Sequence, residues 1–120
     1  MSEPAGSHQV VIRPRRPDEA EAFIALFEAI AAEGEWIEAE APLSDERRGR
    51  MRATTEVPPA GTATFVAEGA GELVGWVWVG LDGHGPVDLG MGVADSWRGR
   101  GIGSLLLERA VAWSKDQAAH

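Results

Sequence analysis

The sequence contains no cysteine. That excludes a disulfide framework and a thiolate metal site, and it fits a reducing compartment. Long hydrophobic runs are missing too: no apolar stretch is long enough to span a bilayer, and the start, MSEPAGSHQ, lacks the basic-then-apolar pattern of a secretory signal. A cytoplasmic protein without membrane contact is expected. Basic residues are the minority, 11 Lys and Arg against 19 Asp and Glu, for a formal net charge of -8. A nucleic-acid partner would require a basic face hidden in an acidic whole, so none is expected. The imbalance serves solubility first, although an acidic mouth would also attract amines. Internal repeats and low-complexity tracts are absent as well.

What is present is enough for one domain. A chain of 120 residues can bury roughly 60 to 70 % of the surface its unfolded form exposes. The hydrophobic fraction of 44% and charged fraction of 25% are those of a globular protein. Residues 1–8 are expected to be a flexible acidic leader and residues 9–120 the domain.

Hydrophobic periodicity sets the element order. Val10, Val11 and Ile12 in HQVVIRP are β-branched and predict a strand, ended by Pro14. Phe23, Leu26, Phe27 and Ile30 recur at helical spacing; Asp18 and Glu21 resemble a capping box, and Gly34 supplies a stop. The segment after it has few apolar residues. Ser44 or Asp45 could cap a short helix to about Ala53, closed by Pro58, Pro59 and Gly61, within a mobile, mostly surface stretch. Three strands follow, TATFVAEG, ELVGWVWVG and PVDLGMGVA, joined at Gly69-Ala70-Gly71 and Gly83-His84-Gly85 as consecutive antiparallel hairpins. In the middle strand Val74, Trp76 and Trp78 point one way and Leu73, Val77 and Val79 the other, so both faces are covered. A final helix carries Ile102, Leu106, Ala110 and Trp113 on one stripe, widened by Leu105 and Val111.

The stretch WRGRGIGSLLLERAVAW, residues 97–113, sets Gly99, Gly101 and Gly103 at alternate positions beside Arg98 and Arg100, directly before this helix. A glycine-rich turn opening a helix gathers backbone N–H groups at the positive end of the dipole, which makes an anion site. Glycine admits positive φ and keeps no Cβ between the amides and a phosphate oxygen. The arginines add charge that cannot be titrated off. A structural turn with solvated arginines is the plain alternative. No G-x-x-x-x-G-K-[ST] is present, and the third place of a dinucleotide fingerprint counted from Gly99 is Ser104, so both nucleotide motifs fall.

Arg98-Gly99-Arg100-Gly101-Ile102-Gly103 reads R-x-x-G-x-G, and between LGMGVADSW and SLLLERAVAW it resembles the acyl-CoA signature of the GNAT family of N-acetyltransferases. The resemblance implies an α/β (α+β) fold, a mostly antiparallel sheet flanked by helices in the order β-α-(α)-β-β-β-α. It further implies acetyl-CoA as cosubstrate, with no metal. Arg98, Gly99, Arg100, Gly101, Gly103 and Ser104 would hold the pyrophosphate, and Met91 and Val93 would pair with the pantetheine arm. The Val93 N–H would also polarise the thioester carbonyl. Gly90 and Gly92, inside a strand, fit a bulge or a close ligand approach.

Direct attack by a primary amine on the thioester is the implied chemistry, the acceptor being a small molecule or a protein. The amine must be neutral, so a base is needed. Asp88 is the candidate, with a solvated strand-end carboxylate as its plain alternative; Glu33 and Glu35 are weaker ones. Trp36 could line the acceptor pocket, while Trp76, Trp78 and Trp113 read as core. His8, His84 and His120 read as solvated.

The sequence departs from the family after KDQAAH, where a further strand, a helix and a terminal hairpin would follow. It also has no tyrosine, the residue that commonly protonates the departing thiolate in the family. Three explanations stand: a truncated domain, a half-domain completed by another chain, and a degenerate module that binds CoA or a protein partner without catalysis. An uncovered sheet edge leads us to expect a homodimer or association with a completing chain.

Overall fold

The computed structural model describes residues 9–33, 43–81 and 86–118. Four strands, β1 (Val10–Pro14), β2 (Thr62–Gly69), β3 (Glu72–Leu81) and β4 (Pro86–Val93), form one antiparallel sheet in the order β1-β2-β3-β4. Helices α1 (Ala20–Ala31) and α2 (Asp45–Glu56) come before β2, and α3 (Ile102–Ala118) follows β4. The sheet separates two apolar clusters. On one face Phe65, Val77, Val79 and Trp97 pack with Ile102, Leu106 and Ala110 of α3. On the other, Val66 and Trp76 pack with Phe23, Phe27 and Ile30 of α1. The α/β class and the element order agree with those expected from the sequence.

The middle strand departs from simple alternation. Ala67 pairs with Gly75 but Glu68 pairs with Leu73, so Val74 is an extra residue in β3. A bulge of this kind turns two successive residues to one side. Val74 therefore joins the α3 cluster with Val77 and Val79, while Leu73 packs beside α1 with Trp76 and Trp78. The expected grouping of Val74 with the tryptophans is thus reversed below the bulge, although both faces are covered as expected.

Three other local readings need correction. Pro14 does not end the pairing of β1: it stands opposite Phe65, and the Arg15 N–H donates to the Thr64 carbonyl at 3.0 Å. On an outer strand a missing N–H costs little. The entry to α1 is closed one turn earlier than expected, by Glu19, which accepts from the Arg16 N–H at 2.8 Å; Asp18 is exposed and Glu21 bonds Arg52. On α3, Ile102, Leu106 and Ala110 are buried, whereas Leu105 and Val111 stand exposed. The stop at Gly34 and the turn at residues 83–85 lie outside the described residues.

Helix α2 runs to Glu56, three residues beyond expectation, and Ser44 caps it by accepting from the Arg47 N–H at 3.1 Å. The segment looked mobile because it has almost no apolar stripe. Ion pairs attach it instead: Arg48 to Glu28 and Arg52 to Glu21, each at 2.6 Å, both onto α1. Leu43 and Thr55 add buried contacts at its two ends.

Candidate active site

Strand β4 has a cleft on each face, and alternation decides which residues reach which. Gly90 and Gly92 face α1, where the Trp76 indole lies against them. Met91 and Val93 face α3 and pack against its cluster. No bulge occurs at either glycine; the register shift in β4 lies nearer its start, between the partners of Asp88 and Pro86. The two glycines are explained by the indole, which fills the space that a Cβ would need.

The cleft on the α3 side, about 280 Å³, brings together Met91, Val93, Arg98, Gly99, Gly101 and Gly103. Gly99 and Gly101 both have φ +78, a conformation that side-chain-bearing residues rarely adopt. The first helical hydrogen bond of α3 runs from the Leu105 N–H to the Gly101 carbonyl at 3.1 Å. The Gly103 and Ser104 amides therefore lie in the first turn, whose N–H groups have no acceptor within the helix. These amides can hold an anion.

Backbone direction follows from one bond. The Ala94 N–H donates to the Val74 carbonyl at 2.8 Å, so alternation turns the main-chain groups of Gly92 and Gly90 toward β3 and those of Met91 and Val93 away from it. On that outer side no strand pairs with β4 among the described residues. The Val93 carbonyl confirms the direction by accepting from Arg98 Nε at 3.0 Å.

Arg98 is fixed within the protein. Besides Val93 it donates through Nη1 to Asp95 Oδ1 at 2.9 Å and through Nη2 to the Glu33 carboxylate. It thereby joins the end of α1 to the end of β4 and to the glycine turn. Glu33, a sequence candidate for the acceptor side, serves as its partner. The Arg100 guanidinium lies 4.7 Å over the Trp97 ring and donates to the Ser96 carbonyl at 2.9 Å.

The second cleft, about 570 Å³, lies between α1, α2 and the sheet. Its floor is Trp76 and Trp78, its apolar wall Phe23 and Phe27, and Asp88 stands at its β4 side. Arg15 and Arg47 also line it, stacked over Phe23 at 4.5 Å and Phe27 at 5.5 Å. Burial pushes the Arg15 guanidinium below its ordinary pKa, against the pull of Glu19. Asp88 is exposed and accepts from the Leu89 N–H at 2.9 Å. About 16 Å of extended strand separates it from Val93.

A family model for the acetyltransferase (GNAT) domain matches residues 60–120. The chain belongs to the GNAT family. Its fold is similar to that of a GNAT acetyltransferase from Streptococcus pneumoniae, with a TM-score of 0.75 at 22% identity, over 89% of this chain and 67% of that one. The GNAT domain of an S. lividans protein aligns over 98% of this chain and 77% of its own, with a TM-score of 0.68 at 23% identity. An aminoglycoside N-acetyltransferase solved with CoA aligns over 92% and 72%, with a TM-score of 0.67 at 19% identity. No curated protein sequence matches the chain.

Within this GNAT domain the structure gathers most of the expected anion-site residues into one cleft. Arg100 and Ser104 lie beside that cleft rather than on its described lining, and Asp88 belongs to the cleft on the opposite face. Sequence reasoning missed Arg15 and Arg47 as cleft residues and took Trp76 and Trp78 for core alone. The signal available was the side-chain alternation that places Trp76 and Trp78 on the face of Gly90. Glu35, Trp36, His8, His84 and His120 lie outside the described residues. Among the described residues no cluster of three or more His, Cys, Asp or Glu is placed to hold a metal ion, and no helix is long and apolar enough to cross a membrane.

Proposed function

We propose that the chain is an acetyl-CoA-dependent N-acetyltransferase in which a primary amine attacks the thioester directly. The observation that carries this reading is the arrangement of the two clefts on opposite faces of β4, with the Met91 and Val93 backbone turned to the open edge between them. The glycine turn fits a pyrophosphate: two residues at φ +78 clear the approach, and a Cβ there would meet nothing within 4 Å. Gly99, Gly101, Gly103 and Ser104 would hold it chiefly through their amides. Arg100 adds charge at the rim. Arg98 acts by positioning Val93 and the turn, since its guanidinium is spent on Val93, Asp95 and Glu33.

Acetyl-CoA supplies an acetyl group activated as a thioester. The chain's residues supply the rest. Met91 and Val93 would offer strand-like pairing to an extended arm, and the Val93 N–H, turned away from β3, would donate to the carbonyl oxygen as negative charge builds on it. The amine enters over Trp76 and Trp78 from the opposite face. Its proton passes to Asp88 through water in the cleft, because the length of β4 between Asp88 and Val93 rules out direct contact. As the C–N bond forms the C–S bond breaks, and the products are an acetamide and a CoA thiolate that takes its proton from solvent water.

Calorimetric titration with acetyl-CoA, followed by thiol release with a panel of amines, tests this. Saturable binding with amine-dependent thiol release is expected. Binding without release favours a second reading, a non-catalytic CoA-binding module. That reading draws on one observation: no residue of the chain is a tyrosine that could protonate the leaving thiolate.

A further inference from the structure

The larger cleft is charged against the sign of the protein. In a chain of formal net charge -8, its described lining carries two arginines and a single carboxylate, Asp88. Four arginines outside the cleft are paired with carboxylates: Arg13 with Glu19 and Glu68, Arg48 with Glu28, Arg52 with Glu21, Arg98 with Glu33. Arg15 and Arg47 receive none among the described residues. Arg15 has one weak side-chain bond, to the Thr54 carbonyl at 3.3 Å, and the nearby Glu19 is held bidentately by Arg13. Among the described residues the Arg47 side chain has only the face of Phe27.

The floor also holds a buried donor: Trp76 is 5% exposed, and its Nε1–H has no hydrogen-bond partner among the described residues. A buried donor of this kind costs stability unless something accepts from it. It stands beside Gly92, on the β4 side of the floor. Both arginines are one ring away from the same indole: Arg15 through Phe23, whose ring is 6.0 Å from that of Trp76, and Arg47 through Phe27, at 5.4 Å.

We infer that the cleft selects an anionic acceptor, an amine joined through an apolar spacer of several bonds to a carboxylate, with Arg15 and Arg47 taking the carboxylate. This rests on the reading of the cleft as the acceptor site. The spacer follows from the sheet. Arg15 leaves β1, three strand spacings or about 14 Å from β4, whereas the amine must reach the β4 edge. The one carbon of a free α-amino acid spans too little of that floor, and Trp76 and Trp78 present it with an apolar surface. A polycation finds two like charges in the cleft and is excluded.

Matched ligands test the inference by binding alone. Calorimetry on the full chain compares 6-aminohexanoate with n-hexylamine, and the dipeptide Ala-Phe with its C-terminal amide. The carboxylated member of each pair should bind about tenfold tighter or better, the worth of one charge-assisted hydrogen bond in a half-buried site. Arg15→Gln and, independently, Arg47→Gln should each bring the two affinities together, so the test does not hang on one variant folding. Equal affinities within the pairs, tighter binding of n-hexylamine or spermidine, or discrimination unchanged in both variants overturns the inference. Failure of the acetyl-transfer reading shows up separately, as absent acetyl-CoA binding in a protein that still discriminates between the paired amines.

Discussion

The indole of Trp76 lies so close to Gly92 that a Cβ on Gly92 would stand 2.9 Å from Nε1 of the ring and 3.2 Å from the Cδ1 of Ile30. Strand β4 is thus held against the core by an absent side chain. Gly92→Ala should destabilise the fold by about 1–3 kcal/mol through overpacking. It should also disturb the floor of the larger cleft, since the ring has Phe23 and Phe27 behind it. Urea denaturation reads the first effect and amine binding the second. A variant as stable as the parent, with unchanged binding, would show that the indole moves freely.

The glycines of the turn predict a different split. Gly101 has φ +78 and open space around its Cα, so Gly101→Ala fails on backbone conformation, at about 1–2 kcal/mol. Gly103 lies inside α3 and its nearest neighbour is Met91 Cε at 3.9 Å. Gly103→Ala should therefore leave stability unchanged or raise it by up to about 1 kcal/mol, while placing a methyl beside the amides proposed to hold phosphate. Acetyl-CoA affinity should fall in both variants, and stability in Gly101→Ala alone. Full affinity in a folded Gly103→Ala variant would move the phosphate site elsewhere.

The hairpin between β2 and β3 turns on Ala70 at φ 51 and Gly71 at φ 80, the signs of a type I′ turn. Alanine is strained there, and asparagine tolerates the same region far better. Ala70→Asn should stabilise the protein by about 0.5–1 kcal/mol, read as a raised Tm with ligand binding untouched.

Periodicity made most elements readable in the sequence, because Phe23, Leu26, Phe27 and Ile30, or Ile102, Leu106 and Ala110, repeat at the spacing of a buried helical face. The grouping of the glycine turn in one cleft was readable for a different reason: the residues from Gly99 to Gly103 are adjacent in the chain, so bringing them together needs no long-range contact. The larger cleft was not, since Arg15, Arg47, Trp76 and Asp88 come from four elements, and only the sheet register and the packing of α2 bring them together. The extent of α2 escaped notice because ion pairs from Arg48 and Arg52 attach it, and a hydrophobic pattern does not record them. The bulge at Val74 escaped as well: an inserted residue with an ordinary side chain leaves no mark in a strand rich in valine.

Glu19 gives a pH-dependent test. The Arg13 guanidinium hydrogen-bonds its carboxylate, and the Arg16 amide adds to this, so its pKa is held below the ordinary 4.5 despite partial burial. A depressed carboxylate pKa contributes stability that is fully present above the unfolded-state value and is lost as pH falls through the folded-state value. Glu19→Gln should thus cost about 2 kcal/mol at pH 7, with the difference from the parent shrinking below the ordinary carboxylate range as Glu19 itself takes up a proton. Urea midpoints measured from pH 7 to pH 3 check both parts. A constant difference across that range would locate the effect of the substitution in packing instead of charge.

Exposed apolar side chains stand on both β4 and α3. Leu89 on β4 is 45% exposed, and Leu105, Leu107 and Val111 on α3 are 43%, 40% and 42% exposed. Leu89 alternates with Met91 and Val93, so it stands on the α3 side of the strand, and β4 is the outermost strand on its side of the sheet among the described residues. An edge with open backbone groups beside apolar side chains recruits another strand or another apolar face. Self-association at micromolar concentrations is the expected behaviour, with acetyl-CoA competing for the same edge through Met91 and Val93. Sedimentation equilibrium with and without acetyl-CoA measures both. The double variant Leu89→Glu with Leu107→Glu should be monomeric, because a buried unpaired carboxylate at the contact costs more than the apolar burial returns. An association that survives both substitutions, or that acetyl-CoA leaves untouched, would place the contact away from β4.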